Sequence, residues 1–189
     1  MGKKVTVVGA GFYGSTTAQR LAEYDIFETV VLTDIVEGKP EGLALDMNQS
    51  RAIEGFETKV VGQTTGKGGE GYEAIAGSDV VVITAGLPRK PGMSRMDLLE
   101  VNAGIVRGVA ENVAKHAPNA VIIVVSNPLD EMTALAQIAT NFPKNRCSAR
   151  PACWTPRASR TTCRGARRAG EQRQDAHARL ARRHDGAGA

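Results

Sequence analysis

Three glycines, Gly9-x-Gly11-x-x-Gly14, stand directly after the β-branched run Lys4-Val5-Thr6-Val7-Val8. Residues 15–24 follow, with Ala18, Leu21 and Ala22 at helical spacing, so the segment reads strand, tight turn, helix. A second apolar run, Thr29-Val30-Val31-Leu32-Thr33, ends at Asp34, 20 residues beyond Gly14. Alone, such glycines often serve only a turn. Between a strand and a helix, with an acid at that interval, they restrict the chain to a nucleotide-binding βαβ unit. The first glycine permits the turn, the second lets a pyrophosphate approach backbone N–H groups at the positive helix end, and the third lets helix and strand pack closely. Asp34 can accept hydrogen bonds from both ribose hydroxyls and would repel a 2′-phosphate, which favours NAD over NADP. The competing reading of Asp34 is a solvated acid at a strand end.

The alternation continues. A helix is expected over residues 40–53, with Pro40 in its first turn and Leu43, Met47 and Ser50 on one face. Val60-Val61 belong to a short third strand. The glycines of Gly66-Lys67-Gly68-Gly69-Glu70-Gly71 do not lie between a strand and a helix, so this stretch reads as a flexible surface loop rather than a phosphate cradle. A fourth strand is expected over residues 79–84, a helix over 97–115 and a fifth strand over 119–125. Their continuous rather than alternating apolar runs imply strands covered on both faces, the mark of a parallel sheet. The expected fold is a doubly wound α/β domain of the Rossmann type over residues 1–146.

Composition changes after Arg146. The 189 residues are 42% apolar and 23% charged, enough for one full domain and too few for two complete ones. No run of about 18 apolar residues occurs and no signal peptide is evident, so a soluble, cytoplasmic protein is expected. The net charge of +4 would ordinarily suggest nucleic acid or an anionic membrane as a partner, of which no membrane is expected. Residues 1–146, however, carry 14 Lys+Arg against 17 Asp+Glu, whereas residues 147–189 carry 10 Arg against Glu171, Asp175 and Asp185. The second part holds Cys147, Cys153, Cys163 and Trp154, has one leucine (Leu180), and lacks Val, Ile, Phe, Tyr and Met. It buries too little apolar surface to offset chain entropy and is expected to be disordered or only locally helical. The cysteines have no metal-like spacing and are expected to be free thiols, with no metal site.

One reading of this tail is an Arg-rich arm that folds on nucleic acid. The other is a slipped coding frame, because Arg, Ala, Gly and Pro have GC-rich codons. If one base is lost after the Arg146 codon, Cys153 to Trp154 can restore only Leu and Trp154 to Thr155 only Asp. Residues 147–158 then become VLGQAGVLDTAR with permitted wobble bases. This strand-like string makes the slipped frame the preferred reading and a nucleic-acid partner the lesser one.

Two loops carry further candidates. The stretch Ala85-Gly86-Leu87-Pro88-Arg89-Lys90-Pro91-Gly92-Met93-Ser94-Arg95 leaves the carboxyl end of the fourth strand, where open α/β sheets place their ligands. Arg89 and Arg95 could each form a bidentate pair with a carboxylate, or simply be solvated. Asn127, in Val125-Ser126-Asn127-Pro128 after the fifth strand, could present its amide near the nicotinamide, or only start a turn.

With VVGAGFYG, the Asp34 strand end, DVVVITAGLPRKPGMSR, the Asn102 region and VVSNPLD in order, residues 4–146 resemble the nucleotide-binding half of the lactate/malate dehydrogenase family. They are most similar to its malate dehydrogenases of lactate dehydrogenase-like type. The resemblance implies that Gly9, Ala10, Gly11, Phe12, Tyr13, Gly14 and Asp34 bind NAD, and that Asn102, Val125, Ser126 and Asn127 border the nicotinamide. It implies that Asn127 also contacts substrate, that Arg89 selects the second carboxylate of malate or oxaloacetate, and that Arg95 polarises the carbonyl. An arginine facing the methyl group of lactate in a closed loop would be a buried unpaired charge, costing on the order of 3–5 kcal/mol, so malate is favoured over lactate. The resemblance also implies a homo-oligomer for the intact family member.

The family's chemistry also needs a histidine held by an aspartate, and a further arginine on the substrate's fixed carboxylate. Family members continue with a sixth strand, a Leu-Asp-x-x-Arg segment and a Gly-Gly-His-Gly segment. Here Thr155 and Ala158 stand at the aspartate and arginine positions, and His177 and His184 lack the glycine setting. His116 reads as a helix-end histidine. The sixth strand and substrate domain are therefore expected to be missing, with the fifth strand an exposed edge and solubility poor.

Overall fold

In a computed structural model the described residues are 3–66 and 68–149. The expectations for the tail from residue 150 onward, including Cys153, Trp154, Thr155, Ala158, Cys163, His177 and His184, lie outside them, as does Lys67. The elements are β1 (Lys4–Val8), α1 (Phe12–Glu23), β2 (Thr29–Asp34), α2 (Lys39–Glu54), β3 (Lys59–Thr64), β4 (Val80–Ile83), α3 (Arg95–His116), β5 (Val121–Val124), α4 (Leu129–Thr140) and β6 (Cys147–Ala149). Short 3-10 turns occupy Tyr72–Ile75 and Lys144–Arg146.

The strands form one sheet in the order β3-β2-β1-β4-β5-β6, and every pairing is parallel. The order reverses between β1 and β4, and at such a switch point the loops leaving the two strands part to form a crevice. Helices cover both faces. On one side Val81, Ile83, Ile122 and Val124 pack with Val106, Val109 and Val113 of α3 and with Met132 and Ala136 of α4. On the other, Val5, Val7, Val30 and Leu32 pack with Ala18 and Ala22 of α1 and with Ala44 and Met47 of α2. The doubly wound parallel fold read from the apolar runs is the fold observed.

Three details depart from expectation. The sixth strand is present: Cys147 pairs with Ile122, Ser148 with Ile123 and Ala149 with Val124, so β5 is an interior strand. Main-chain pairing is indifferent to side-chain identity, and Cys147 is small and apolar enough to be buried at the α4 face, its thiol 3.7 Å from the Thr133 carbonyl. Burial pushes that thiol's pKa up. Second, α4 was not anticipated, although Pro128 stands at its N-cap and Met132, Ala136 and Thr140 recur every four residues on its buried face. Third, the buried face of α2 is Pro40, Ala44 and Met47, with Leu43 and Ser50 only half-buried; the helix lies so close on β3 that a Cβ on Gly62 would collide with the Pro40 carbonyl. Near the glycines that follow β3, the Gly66 N–H donates to the Glu70 carbonyl at 2.9 Å and the Gly69 N–H to the Gly66 carbonyl at 3.2 Å. Among the described residues no helix is long and apolar enough to cross a membrane, and no cluster of His, Cys, Asp and Glu could hold a metal.

Ile83 is fully buried at the centre of the sheet, whereas Ile138 on α4 is 75% exposed. Truncating Ile83 to alanine should cost about 2–5 kcal/mol in urea unfolding, and Ile138→Ala under about 0.5 kcal/mol.

Candidate functional site

The glycine turn joins β1 to α1 at the carboxyl edge of the sheet. Gly9 adopts φ +106°, a region that favours glycine, and its N–H donates to the Thr33 carbonyl at 2.7 Å. A side chain at Gly14 would collide with the Gly9 carbonyl oxygen, so the third glycine is where α1 rests on the turn. Gly11 differs: it is the N-cap of α1 with φ −70°, and a Cβ there would meet nothing within 4 Å. Open space thus lies over the helix end. No side chain caps α1 and no acid occupies its first turn, so its positive end is left for an external anion. Phe12 (97% exposed) and Tyr13 begin the helix beside that space.

Asp34 ends β2 against this turn. Its Oδ2 accepts the Ala10 N–H at 2.6 Å and its Oδ1 accepts the Val36 N–H at 3.0 Å. The carboxylate is therefore pinned to the turn, with a further lone pair on each oxygen for a diol. It is not simply a solvated strand-end acid. Next to it, at the paired end of β3, Glu41 accepts the Thr64 N–H and, at 2.9 Å, the Thr64 hydroxyl. Burial pushes the Glu41 carboxyl up, but these bonds and one from its own backbone outweigh it and hold the group below its ordinary range.

The loop from β4 to α3 carries both arginines. Arg89 is exposed, its Nε donating to the Met93 carbonyl at 3.1 Å. Arg95 is the first residue of α3, behind a capping box in which Ser94 accepts the Asp97 N–H and Asp97 accepts the Ser94 N–H. Those bonds, the Ser94 N–H foremost, hold the Asp97 carboxyl below the usual carboxylate range. The Arg95 guanidinium lies 3.3 Å from Glu131 in the first turn of α4, with side-chain exposures of 75% and 42%. Exposed pairs of this kind are weak, so the guanidinium can be taken by another carboxylate. The Glu131 carboxyl is held low by a hydrogen bond with its own backbone, and further by Arg95. Glu131 escaped the sequence reading because α4 did; its signal is an acid opening a helix after a strand end.

The Val125–Asn127 loop leaves β5 at the same edge. Val125 N–H donates to the Ile83 carbonyl at 2.9 Å, Ser126 is buried, and Asn127 is exposed. Asn102, by contrast, is 1% exposed, with its amide bonded to the loops. The glycine turn, Asp34, Arg89, Arg95 and Asn127 thus share the carboxyl edge. His116 does not: it ends α3, roughly 30 Å along the helix from Arg95 at 1.5 Å per residue.

Residues 3–149 match the family model described as lactate/malate dehydrogenase, NAD binding domain. The chain belongs to that family. It is 54% identical over 143 residues to the malate dehydrogenase of Chloroherpeton thalassium and 57% to that of Flavobacterium frigidimaris, the aligned part being 76% of this chain and 44% of each relative. The chain therefore spans less than half the length of these curated relatives. Among solved structures, Cryptosporidium parvum malate dehydrogenase aligns with TM-score 0.72 at 46% identity, covering 79% of this chain and 45% of that one. The lactate dehydrogenase of the same organism, solved with lactic acid and NAD, aligns with TM-score 0.71 at 39% identity, with the same coverage. The family's nucleotide-binding domain is thus the part this chain shares.

The glycines should separate on substitution. Gly14→Ala should lower stability by about 1–3 kcal/mol or prevent folding, whereas Gly11→Ala should stay within about 0.5 kcal/mol in chemical denaturation. The acid limb follows from the depressed Glu41 and Asp97 values. Their contribution is complete above the ordinary carboxylate range and disappears as pH falls through the depressed values. The thermal midpoint should be nearly flat from about pH 7 to 5 and drop below about pH 4. Glu41→Gln with Asp97→Asn should make that drop shallower.

Proposed function

We propose that this chain is the dinucleotide-binding half of an NAD-dependent malate dehydrogenase, oxidising malate to oxaloacetate in the intact enzyme. The observation that carries the reading is the pinned Asp34 carboxylate beside an uncapped helix end with open space over Gly11. Those features fit NAD: pyrophosphate on the N–H groups of Gly11, Phe12 and Tyr13, and the adenosine ribose on Asp34, whose charge disfavours a 2′-phosphate. When bound, NAD supplies the nicotinamide ring that accepts hydride from carbon 2 of the substrate. The chain's own part is to bind and orient. Arg89 takes the distal carboxylate, Arg95 polarises the carbonyl after release from Glu131, and Asn127 orients substrate beside the nicotinamide.

The arginine at position 89 supports malate over lactate, as do the names of the relatives. The proton-moving histidine is not supplied: His116 sits at the far end of α3, and neither His177 nor His184 has the family's glycine-flanked setting. We read the sequence after Arg146, β6 included, as out-of-frame translation, so the 189-residue chain holds dinucleotide without turning over. The cytoplasm and a homo-oligomeric intact enzyme complete the reading.

NADH should bind the purified chain with fluorescence enhancement, and NADPH at least tenfold more weakly. Gly11→Ala should weaken NADH at least tenfold, and Asp34→Ala should narrow the preference over NADPH. Malate oxidation by the chain, free of host enzyme, would show that another group moves the proton. Restoring the frame after the Arg146 codon should restore oxaloacetate reduction in preference to pyruvate reduction.

A further inference from the structure

Asn102 lies on the third turn of α3, and its side chain makes three bonds that reach two different loops. Its Oδ1 accepts the Leu87 N–H at 2.8 Å, while Nδ2 donates to the Leu87 carbonyl at 3.2 Å and to the Asn127 carbonyl at 2.7 Å. Both amide protons are thereby used inside the protein. Leu87 is gripped through both its main-chain groups, as a neighbouring strand would grip it. Ser126 adds a second tie between the same loops, its hydroxyl donating to the Ala85 carbonyl at 2.5 Å. Gly86, between the tied residues, lies so close that a Cβ there would be 3.3 Å from Asn102 Oδ1. Residues 85–87 are the root of the loop that carries Arg89 and Arg95. They are therefore fastened to residues 126–127, which carry the exposed Asn127 side chain.

We propose that Asn102 is a positioning residue. Its amide, with the Ser126 hydroxyl, latches the root of the arginine loop to the Asn127 main chain and so holds the substrate-facing groups in register. It acts on the site through these two loops. This role rests on the NAD-binding reading above, and the two fail separately. If the unsubstituted chain does not bind NADH, the functional reading falls; the latch is judged on the loop itself.

The test compares the full chain with Asn102→Ala, Asn102→Asp and Ser126→Ala. The aspartate keeps an acceptor for the Leu87 N–H but turns an oxygen toward two carbonyl oxygens. In the unsubstituted chain the Leu87 amide should exchange at least 100-fold more slowly than in a free peptide. Exchange at the free-peptide rate overturns the latch before any variant is made. Trypsin cleavage after Arg89 should speed up at least tenfold in both Asn102 variants and at least threefold in Ser126→Ala. Cleavage after Arg107, within α3, should stay at the original rate. The fluorescence enhancement of bound NADH should fall by half or more, because the nicotinamide end loses its ordered border.

Three results would overturn the proposal. A tenfold loss of NADH affinity with loop cleavage unchanged would make Asn102 a cofactor contact. Cleavage after Arg107 rising in step with Arg89 would make it a general support of the fold. A folded Asn102→Ala with cleavage after Arg89 unchanged would remove any role in the loop.

Discussion

Parallel pairing of β1 with β2 on one side and β4 on the other governs everything functional in this domain. Because all six strands point the same way, every chain segment that follows a strand emerges at one edge. The glycine turn, the β2 end, the arginine loop and the Asn127 loop are collected there from positions as far apart as Gly9 and Asn127. The cost of that arrangement is a crossover for each pair, and the helices that make the crossovers bury both faces of the sheet. Reversing β1, β2, β4 or β5 would carry that strand's loop to the opposite edge and take its residues out of the site.

The electrostatics of the edge follow from the same arrangement. Helices after parallel strands start at the carboxyl edge, so α1, α3 and α4 direct their positive ends toward it. The chain treats the three ends differently. At α3 the Ser94–Asp97 box satisfies the first turn, and at α4 Asp130 and Glu131 occupy it. Only α1, of the three, has neither a capping side chain nor an acid, and it is the one that follows the glycine turn.

Much of this was legible in the sequence because it rests on local rules. Strand runs of Val and Ile, the glycine triplet and the acid ending β2 each reflect a short-range requirement of backbone or burial, and each element appears where those rules place it. The missed features are those set by tertiary partners. Periodicity placed Leu43 inward on α2, but the close approach to β3 selects Ala44. The short β6 has no apolar run to announce it and exists because β5 offers an open row of main-chain groups. Asn102 could be named as part of the site from resemblance, but not assigned its bonds: only the folded loops show that its amide meets Leu87 and Asn127.

The Arg95–Glu131 pair gives the site a resident anion. On the proposed reading, a substrate carbonyl arriving at Arg95 displaces the carboxylate already there, so its engagement is an exchange of partners and not the approach to a bare cation. The displaced Glu131 is not stranded, since it stays in the first turn of α4, where the helix end favours negative charge. Until substrate arrives, the pair keeps the arginine loop from carrying a bare cation, and added salt loosens that contact.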